Sequence, residues 1–413
     1  MNKNFLALGL AAALLAPQVA GAEGFAINEW SAEGVAMGGA RMFAEDDAAN
    51  VAYNPASITK VKGEVMKSSY TYLSPHGNYK LYDSNNDEIK GEPTHNKVHA
   101  GWAVGTYYVR QINDKEWFGI GAFPRFAMVS EFERESNASS NAFFSKLNGV
   151  SVTPTYAHKF DKKWSAAVGA EINYVGLELQ KNSYDPRVQM NVGATQTEGE
   201  SYALGWNAAA NYAFDDKNEI GVVYRSRITH SLEADFKMYP VIGDKITADA
   251  YGVVTLPDSW DIGYNHKFDK KTRLELKATR TNWSTYDALN VYFDQPVFGK
   301  PNALSDKNWE NGWRYAIGLE HNLSDKYTVM AGFAFDESSI PHDGGDFMVP
   351  TGLRRTYSIG ARYNDKKQTV AVALGWMDVG NLDFAGHATD AYKSAHAYDS
   401  FTKIASISYQ RKF

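Results

Sequence analysis

Groups able to do covalent chemistry are sparse and scattered in this 413-residue sequence. Cysteine is absent, which removes thiolate nucleophiles, thiolate metal sites and disulfides together. The ten histidines do not cluster: His230 falls in a strand-like stretch, His266 on an outward parity, others in loop-like segments. Neither a Gly-x-Ser-x-Gly elbow nor an HExxH pair occurs, and these spacings are what bring a nucleophile or a zinc ligand set together. A lipase of the outer membrane would need Ser and His at one height, which no pattern here suggests. No enzyme, cofactor or metal site is expected. The residues that stand out act on the backbone or offer charge. WFGIGAFPRF at 117–126 reads as a strand in which Pro124 has no N–H and deletes a ladder bond. Gly119 and Gly121 weaken its pairing further. Such a strand either ends at Phe123 or is opened there, and these residues alone do not choose. Phe143, Phe144 and Leu147 are spaced to share a helix face; on an outer loop they form either an apolar landing patch or a loop-packing cluster. Arg225, Arg227 and Arg314 lie on the polar parity of their stretches, facing either an anionic ligand or acids such as Glu320, Asp46 and Asp47.

The elements that must position these groups follow from periodicity. Lys3, the apolar run 5–16 and Ala20-Gly21-Ala22 have the layout of a cleavable export leader spanning residues 1–22, and the run is too short to span a membrane. Without the leader 41 bases face 48 acids, and a net charge of −7 with pI near 6.0 leaves no footprint for nucleic acid. Mean hydropathy is −0.42, yet 25 tyrosines and 10 tryptophans suit a chain that hides an apolar face by alternation. From about residue 64 the period is two. Trp164, Ala166, Val168, Ala170, Ile172 and Tyr174 oppose Ser165, Ala167, Gly169, Glu171 and Asn173, and residues 259–268, 327–336 and 353–363 repeat the pattern. Six tight turns begin at or near Asp, Asn or Ser (112–115, 161–163, 215–218, 269–272, 324–326, 364–367), whose side chains can bond the adjacent backbone. Seven longer polar connections (75–96, 131–149, 181–200, 236–253, 294–308, 341–352, 384–397) alternate with them. Six turns and seven loops join fourteen strands, and short turns on one rim with long loops on the other are the pattern of an outer-membrane barrel. Soluble sandwiches lack that asymmetry. The last strand ends on Phe413, an aromatic suited to a membrane interface; it is the expected handle for the barrel-assembly machinery. An all-β, 14-stranded antiparallel transmembrane β-barrel at 63–413 is therefore expected. Residues 23–62 are Ala-rich, helix-compatible at 32–37 and 44–52, and broken by Gly34, Gly38 and Gly39. Having no core of its own, this segment is expected to be a plug, or hatch, in the lumen.

Four stretches in order resemble the FadL-type outer-membrane transporters of long-chain fatty acids and other hydrophobic compounds: GFAINEWS at 24–31, DDAANVAYNPA at 46–56, LPDSWDIGY at 256–264 and AFDESSIP at 334–341. The resemblance runs from the leader to Phe413. It implies capture of ligand by the outer loops, an internal pocket, and sideways exit where the third strand is kinked, which favours the opened reading of Pro124. It implies that Asn54, Pro55 and Ala56 lie against that kinked wall, where the Asn54 side chain could offer the hydrogen bonds the opened strand lost. It places the entry groove at Phe143, Phe144 and Leu147. For a carboxylate in an apolar pocket a cation is the expected partner; Lys181 aligns with one basic position of the family and Lys307 lies near another, with Arg314 as a further choice, though each can equally be a solvated or paired charge. Phe25, Ile27 and the mature amino group are pocket candidates by the same resemblance. The expected function is a passive, plugged channel in the bacterial outer membrane, acting as a monomer amid outer-membrane lipid and carrying a hydrophobic ligand, a fatty acid first. Uptake of aromatic hydrocarbons by the same fold is the alternative, followed by a general porin or an outer-membrane phospholipase.

Overall fold

The computed structural model describes residues 24–413 apart from 92–94, 99, 298–299 and 351. The expected leader and Glu23 lie outside the described residues. The chain forms a closed antiparallel barrel of fourteen strands, sealed where the first strand, Glu64–Tyr82, pairs with the last, Ser394–Lys412. Alternation dictates the wall. Val168, Ile172, Leu204, Ile262, Ile359, Leu374 and Ile407 face outward, flanked by Tyr70, Trp102, Trp164, Trp206, Trp260, Tyr327, Tyr357 and Tyr409, an apolar band with aromatic girdles. The intervening residues point into the lumen and are buried.

The short rim is built by side-chain acceptors. Asp161, Asp215, Asp269 and Asp365 each accept two backbone N–H bonds within their own turns, at 2.7–2.8 Å. The expected loops need correction. The fifth and sixth strands, Trp164–Asp185 and Met190–Ala213, run 22 and 24 residues, so 181–200 is mostly hairpin. At about 3.3 Å per residue these strands outreach an apolar band about 25 Å tall. Likewise 236–253 is largely strand, Ile228–Pro240 and Ile246–Leu256. Ladder pairing continues there although the outward face is largely polar, and in the second hairpin Phe236, Met238 and Ala250 pack with Val297 on the other face, so the loss of an outward apolar parity did not mark the strand ends.

Residues 24–62 fill the lumen as short helices, Ala32–Ala36 and Asn50–Tyr53, a 3₁₀ helix, Pro55–Lys60, and irregular chain. Room for them comes from glycines on the lumen side of the wall: a Cβ on Gly332 would lie 2.2 Å from the Gly38 nitrogen, one on Gly318 2.6 Å from Met37, and one on Gly360 2.5 Å from Ala36. Charge fixes the rest. Lys67 bonds Glu33 and Asp47, and Arg41 bonds Asp47 and Glu320. Buried charge in such a lumen is tolerable only when paired.

Candidate ligand pocket and wall opening

The third strand, Glu116–Glu131, is where wall and hatch exchange partners. The second strand, Gly101–Gln111, pairs with it from Gln111↔Trp117 only as far as Thr106↔Ala122, while continuing against the first strand to Gly101. Beyond Ala122 the third strand keeps its fourth-strand neighbour through a bulge that leaves Arg125 as the extra residue between Pro124 and Phe126. Residues 121–128 are buried on both faces, which places this stretch inward of the wall. Its vacated ladder edge is taken by the hatch: the Ile27 N–H donates to the Arg125 carbonyl at 2.9 Å and the Ala127 N–H to the Phe25 carbonyl at 2.8 Å. The Trp30 indole N–H donates to the Pro124 carbonyl at 2.6 Å, and the Tyr107 hydroxyl donates to the Trp30 carbonyl at 2.9 Å. Trp30 thus stands in the gap between the second and third strands, its ring 5.2 Å from Phe123.

Two expected mechanisms for this region are corrected. Asn54 does not serve the opened strand. Its side chain accepts from the Ala56 N–H, capping the 3₁₀ helix that Pro55 begins, and donates to Asn211 of the sixth strand at 2.7 Å. Gly119 and Gly121 remain paired, with Val109 and Tyr107; their role is clearance, since a Cβ there would lie 2.8 and 3.0 Å from Val51 of the hatch.

Outward of the gap lies an aromatic box. Phe25, fully buried, has ring centroids of Trp283, Tyr286, Trp309 and Phe126 at 4.6, 5.4, 5.6 and 6.1 Å. Lys307 is buried beside it and bonded to Asp346. Burial works against its ammonium, but Asp346, helped by Tyr286, holds its pKa above the ordinary lysine value. A neighbouring recess under the loops, edged by Tyr79, Phe132, Phe347, Met377 and Arg354, holds about 70 Å³, room for about two waters at about 30 Å³ each. The loop above it is latched: Asn141 donates to Asp390 at 3.1 Å, the His387 backbone N–H donates to the same carboxylate, and the Phe347 N–H donates to Asn141.

The sequence matches a family model described as outer membrane protein transport protein (OMPP1/FadL/TodX) over residues 13–413. The chain belongs to this family. It is similar to the long-chain fatty acid transport protein of Escherichia coli K12, 24% identical with 90% of this chain and 91% of the relative covered. It is also similar to outer membrane protein P1 of Haemophilus influenzae, 25% identical with 88% and 86% covered. Among solved structures, a Pseudomonas aeruginosa FadL homologue superimposes with a TM-score of 0.84 at 18% identity, covering 94% of this chain and all of that one. The Pseudomonas putida toluene transporter TodX gives 0.70 at 16% identity, with 94% and 99% covered. This FadL-family barrel is therefore an outer-membrane transporter of hydrophobic compounds, and its relatives are transporters rather than enzymes.

The residues expected from the FadL resemblance are not all brought together. Phe25 lines the aromatic box with Lys307 beside it, whereas Ile27 packs on the lumen side with the hatch core. Lys181 is exposed on the projecting hairpin, in register with Thr195; its inward neighbour is Asn182, bonded to Ser139 and the Arg134 carbonyl. Arg314 grips Asp336 through two bonds and the Gly38 carbonyl, so it anchors hatch to wall. Arg227 is exposed and paired with Asp258. Glu320, expected as an arginine partner, takes Arg41, Arg273 and Arg362 instead. Phe143, Phe144 and Leu147 form no helix. Phe144 starts the fourth strand, Phe144–Lys159, because the Phe132 N–H bonds the Phe143 carbonyl and the Phe143 N–H bonds Gln180, carrying the ladder through. Leu147 is buried and Phe143 sits under Arg134 at 5.3 Å. Trp30, Arg125, Trp283, Tyr286, Trp309 and Asp346 were not singled out by sequence. A lone tryptophan in the Ala- and Gly-rich hatch was the one available signal, for Trp30.

Proposed function

We propose that this barrel carries long-chain fatty acids inward by loop entry, residence near Phe25 and sideways release between the second and third strands. The observation that carries the reading is the change of ladder partner after Ala122, where Phe25–Ile27 and Trp30 replace the second strand. A wall closed by a movable hatch can be opened without breaking the barrel, whereas a wall closed by its own ladder cannot. Burial of methylenes, worth about 0.8 kcal/mol each, supplies the drive into the pocket, and no energy source is required. Fatty acid is preferred over neutral cargo because the long-chain fatty acid transport relatives align along nine-tenths of the chain and because a buried cation, Lys307, adjoins the aromatic box.

A second reading, uptake of aromatic hydrocarbons, is favoured by two features: Lys307 is already neutralised by Asp346, and the box is made of rings. The test is uptake of radiolabelled oleate and of toluene by cells lacking other such transporters, with the wild type and Lys307→Ala. Oleate uptake that falls in the variant supports the fatty-acid reading; toluene uptake without oleate uptake overturns it. Crosslinking Gly105 to Phe123 through paired cysteines closes the gap. Uptake unchanged by that crosslink would overturn lateral release.

A further inference from the structure

Behind the kink the lumen holds an arginine that no carboxylate neutralises. Arg225, on the seventh strand segment Asn218–Arg225, is buried, and no ion pair among the described residues includes it. Its Nη2 donates to the Ala52 carbonyl at the end of a hatch helix. Its Nε and Nη1 are buried without a hydrogen-bond partner. The guanidinium lies 5.7 Å from the Trp30 ring and 5.9 Å from the Phe123 ring, the pair that stands in the wall gap. Directly opposite in the ladder is Asn207, also buried, with both its amide nitrogen and its amide oxygen unpartnered.

Four other lumen arginines behave differently. Arg41, Arg125, Arg273 and Arg314 each hold a carboxylate. The acids electrostatically coupled to Arg225 are Glu171 and Asp261, but Glu171 is held by Arg125 at 3.2 Å and Asp261 by Lys277 at 3.0 Å. Three cations face two carboxylates, leaving one positive charge in excess. Burying an unpaired charge and orphaned donors is costly, so such a cluster persists where an anion completes it. Nε–H and Nη1–H lie on different edges of the guanidinium, and each edge is completed by Nη2, so a carboxylate bound in bidentate fashion takes one open donor together with Nη2 and displaces the Ala52 carbonyl; the Asn207 amide adds a further donor.

We propose that Arg225 and Asn207 form a carboxylate-binding site on the lumen side of the wall gap, taken up by the ligand head group as the chain passes Trp30. The assignment of a fatty acid as that ligand rests on the function proposed above; the anion site itself does not. Trp30 and Phe123 cover the site at rest, and the Arg225–Ala52 bond ties it to the hatch. Displacement of that bond by a carboxylate couples ligand passage to hatch release.

The experiment compares oleate with oleyl alcohol, which has the same chain and no charge, in uptake by cells carrying wild type, Arg225→Gln or Asn207→Leu, with barrel folding checked by heat-modifiable mobility. Loss of one charge-assisted contact, about 1.5–3 kcal/mol, corresponds to at least about tenfold. Oleate uptake is expected to fall by about that factor in Arg225→Gln with oleyl alcohol changed less than about twofold. Equal losses for both cargoes, or no loss for either, overturn the proposal. A second arm is independent of the natural cargo: decanoate binding to purified Trp30→Ala protein, which uncovers Arg225, measured by calorimetry with and without Arg225→Gln. Decanoate binding about tenfold weaker in the double variant supports the site even if the wild type takes up no oleate. Equal binding removes it.

Discussion

Val51 reaches the third strand at the two positions where the wall has no side chain. A Cβ at Gly121 would meet Val51 at 3.0 Å and the Tyr107 ring at 2.9 Å, and neither neighbour can withdraw, since Tyr107 is bonded to Trp30. Gly121→Val is therefore expected to push the hatch off the wall, at a cost of about 1–3 kcal/mol typical of overpacking. Urea titration followed by gel mobility would read the loss. The hatch-contact origin of the effect is checked by Gly121→Val with Val51→Ala, which should recover part of it, the clash with the Tyr107 ring remaining. A loss unchanged by the second substitution would mean that the glycine serves the strand and not the hatch. Arg125 makes the complementary point. It is the bulged residue, and its bonds to Glu171 and to the Ser226 and Pro257 carbonyls hold the kink inward.

Among the elements, the outer loops are tied by one carboxylate. Asp390 is mostly buried, which raises its pKa, but bonds from the His387 ring and backbone and from Asn141 outweigh this and hold it below the ordinary aspartate value of 3.8. A depressed carboxylate contributes stability that is present above its unfolded value and lost as pH falls through the folded one. The latch should therefore be intact at neutral pH and loosen only below about 4. A spin label at Thr389 is expected to stay immobile from pH 8 to 5 and gain mobility under more acidic conditions; in Asp390→Ala it should be mobile throughout. Mobility that changes anywhere between pH 8 and 5 would mean that the Asp390 carboxylate is not what holds the loop. Element by element, the wall was legible from sequence because outward apolar and inward polar residues alternate and because aspartates write the short turns. The projecting hairpins were not, since beyond the apolar band the outward face turns polar while the other can stay apolar, as at Phe236 and Met238, so the wall's parity no longer applies; Lys181 and Asn182 exchange roles there. Leu147 misled for a related reason. Spacings of one and four fit a helix, but a strand also buries Leu147 once it leans on the loops. Burial of the hatch was legible from its lack of an alternating face. That Phe25 and Trp30, not Asn54, supply the third strand's missing bonds was not, because it depends on which backbone the lumen brings alongside.

For the molecule as a whole, the question is what keeps a lumen of fourteen strands from conducting. The hatch packs an apolar core that includes Ile27, Met37, Met42, Phe43, Val51 and Ile58, and charge ties its centre to the wall. Arg41 bridges the hatch acid Asp47, at 2.9 Å, to the wall acid Glu320, at 3.1 Å, while Lys67 of the wall reaches back to Glu33 and Asp47. These groups are buried, and removing Arg41 leaves Asp47 with Lys67 alone and Glu320 with Arg273 and Arg362, so the cost is expected below the about 3–5 kcal/mol of a buried pair broken outright. That penalty falls on hatch docking, because the wall ladder does not depend on Arg41. Planar-bilayer recordings should thus show negligible conductance for the wild type and frequent openings for Arg41→Ala, with barrel mobility on gels unchanged. Replacing Arg41→Met with Asp47→Leu removes one charge of each sign, leaves Lys67 to Glu33 and Glu320 to Arg273 and Arg362, and is expected to conduct less than Arg41→Ala alone. If the double variant conducts as much as the single one, charge pairing is not what seats the hatch, and the close backbone approach of Gly38 to Gly332 would carry that role instead.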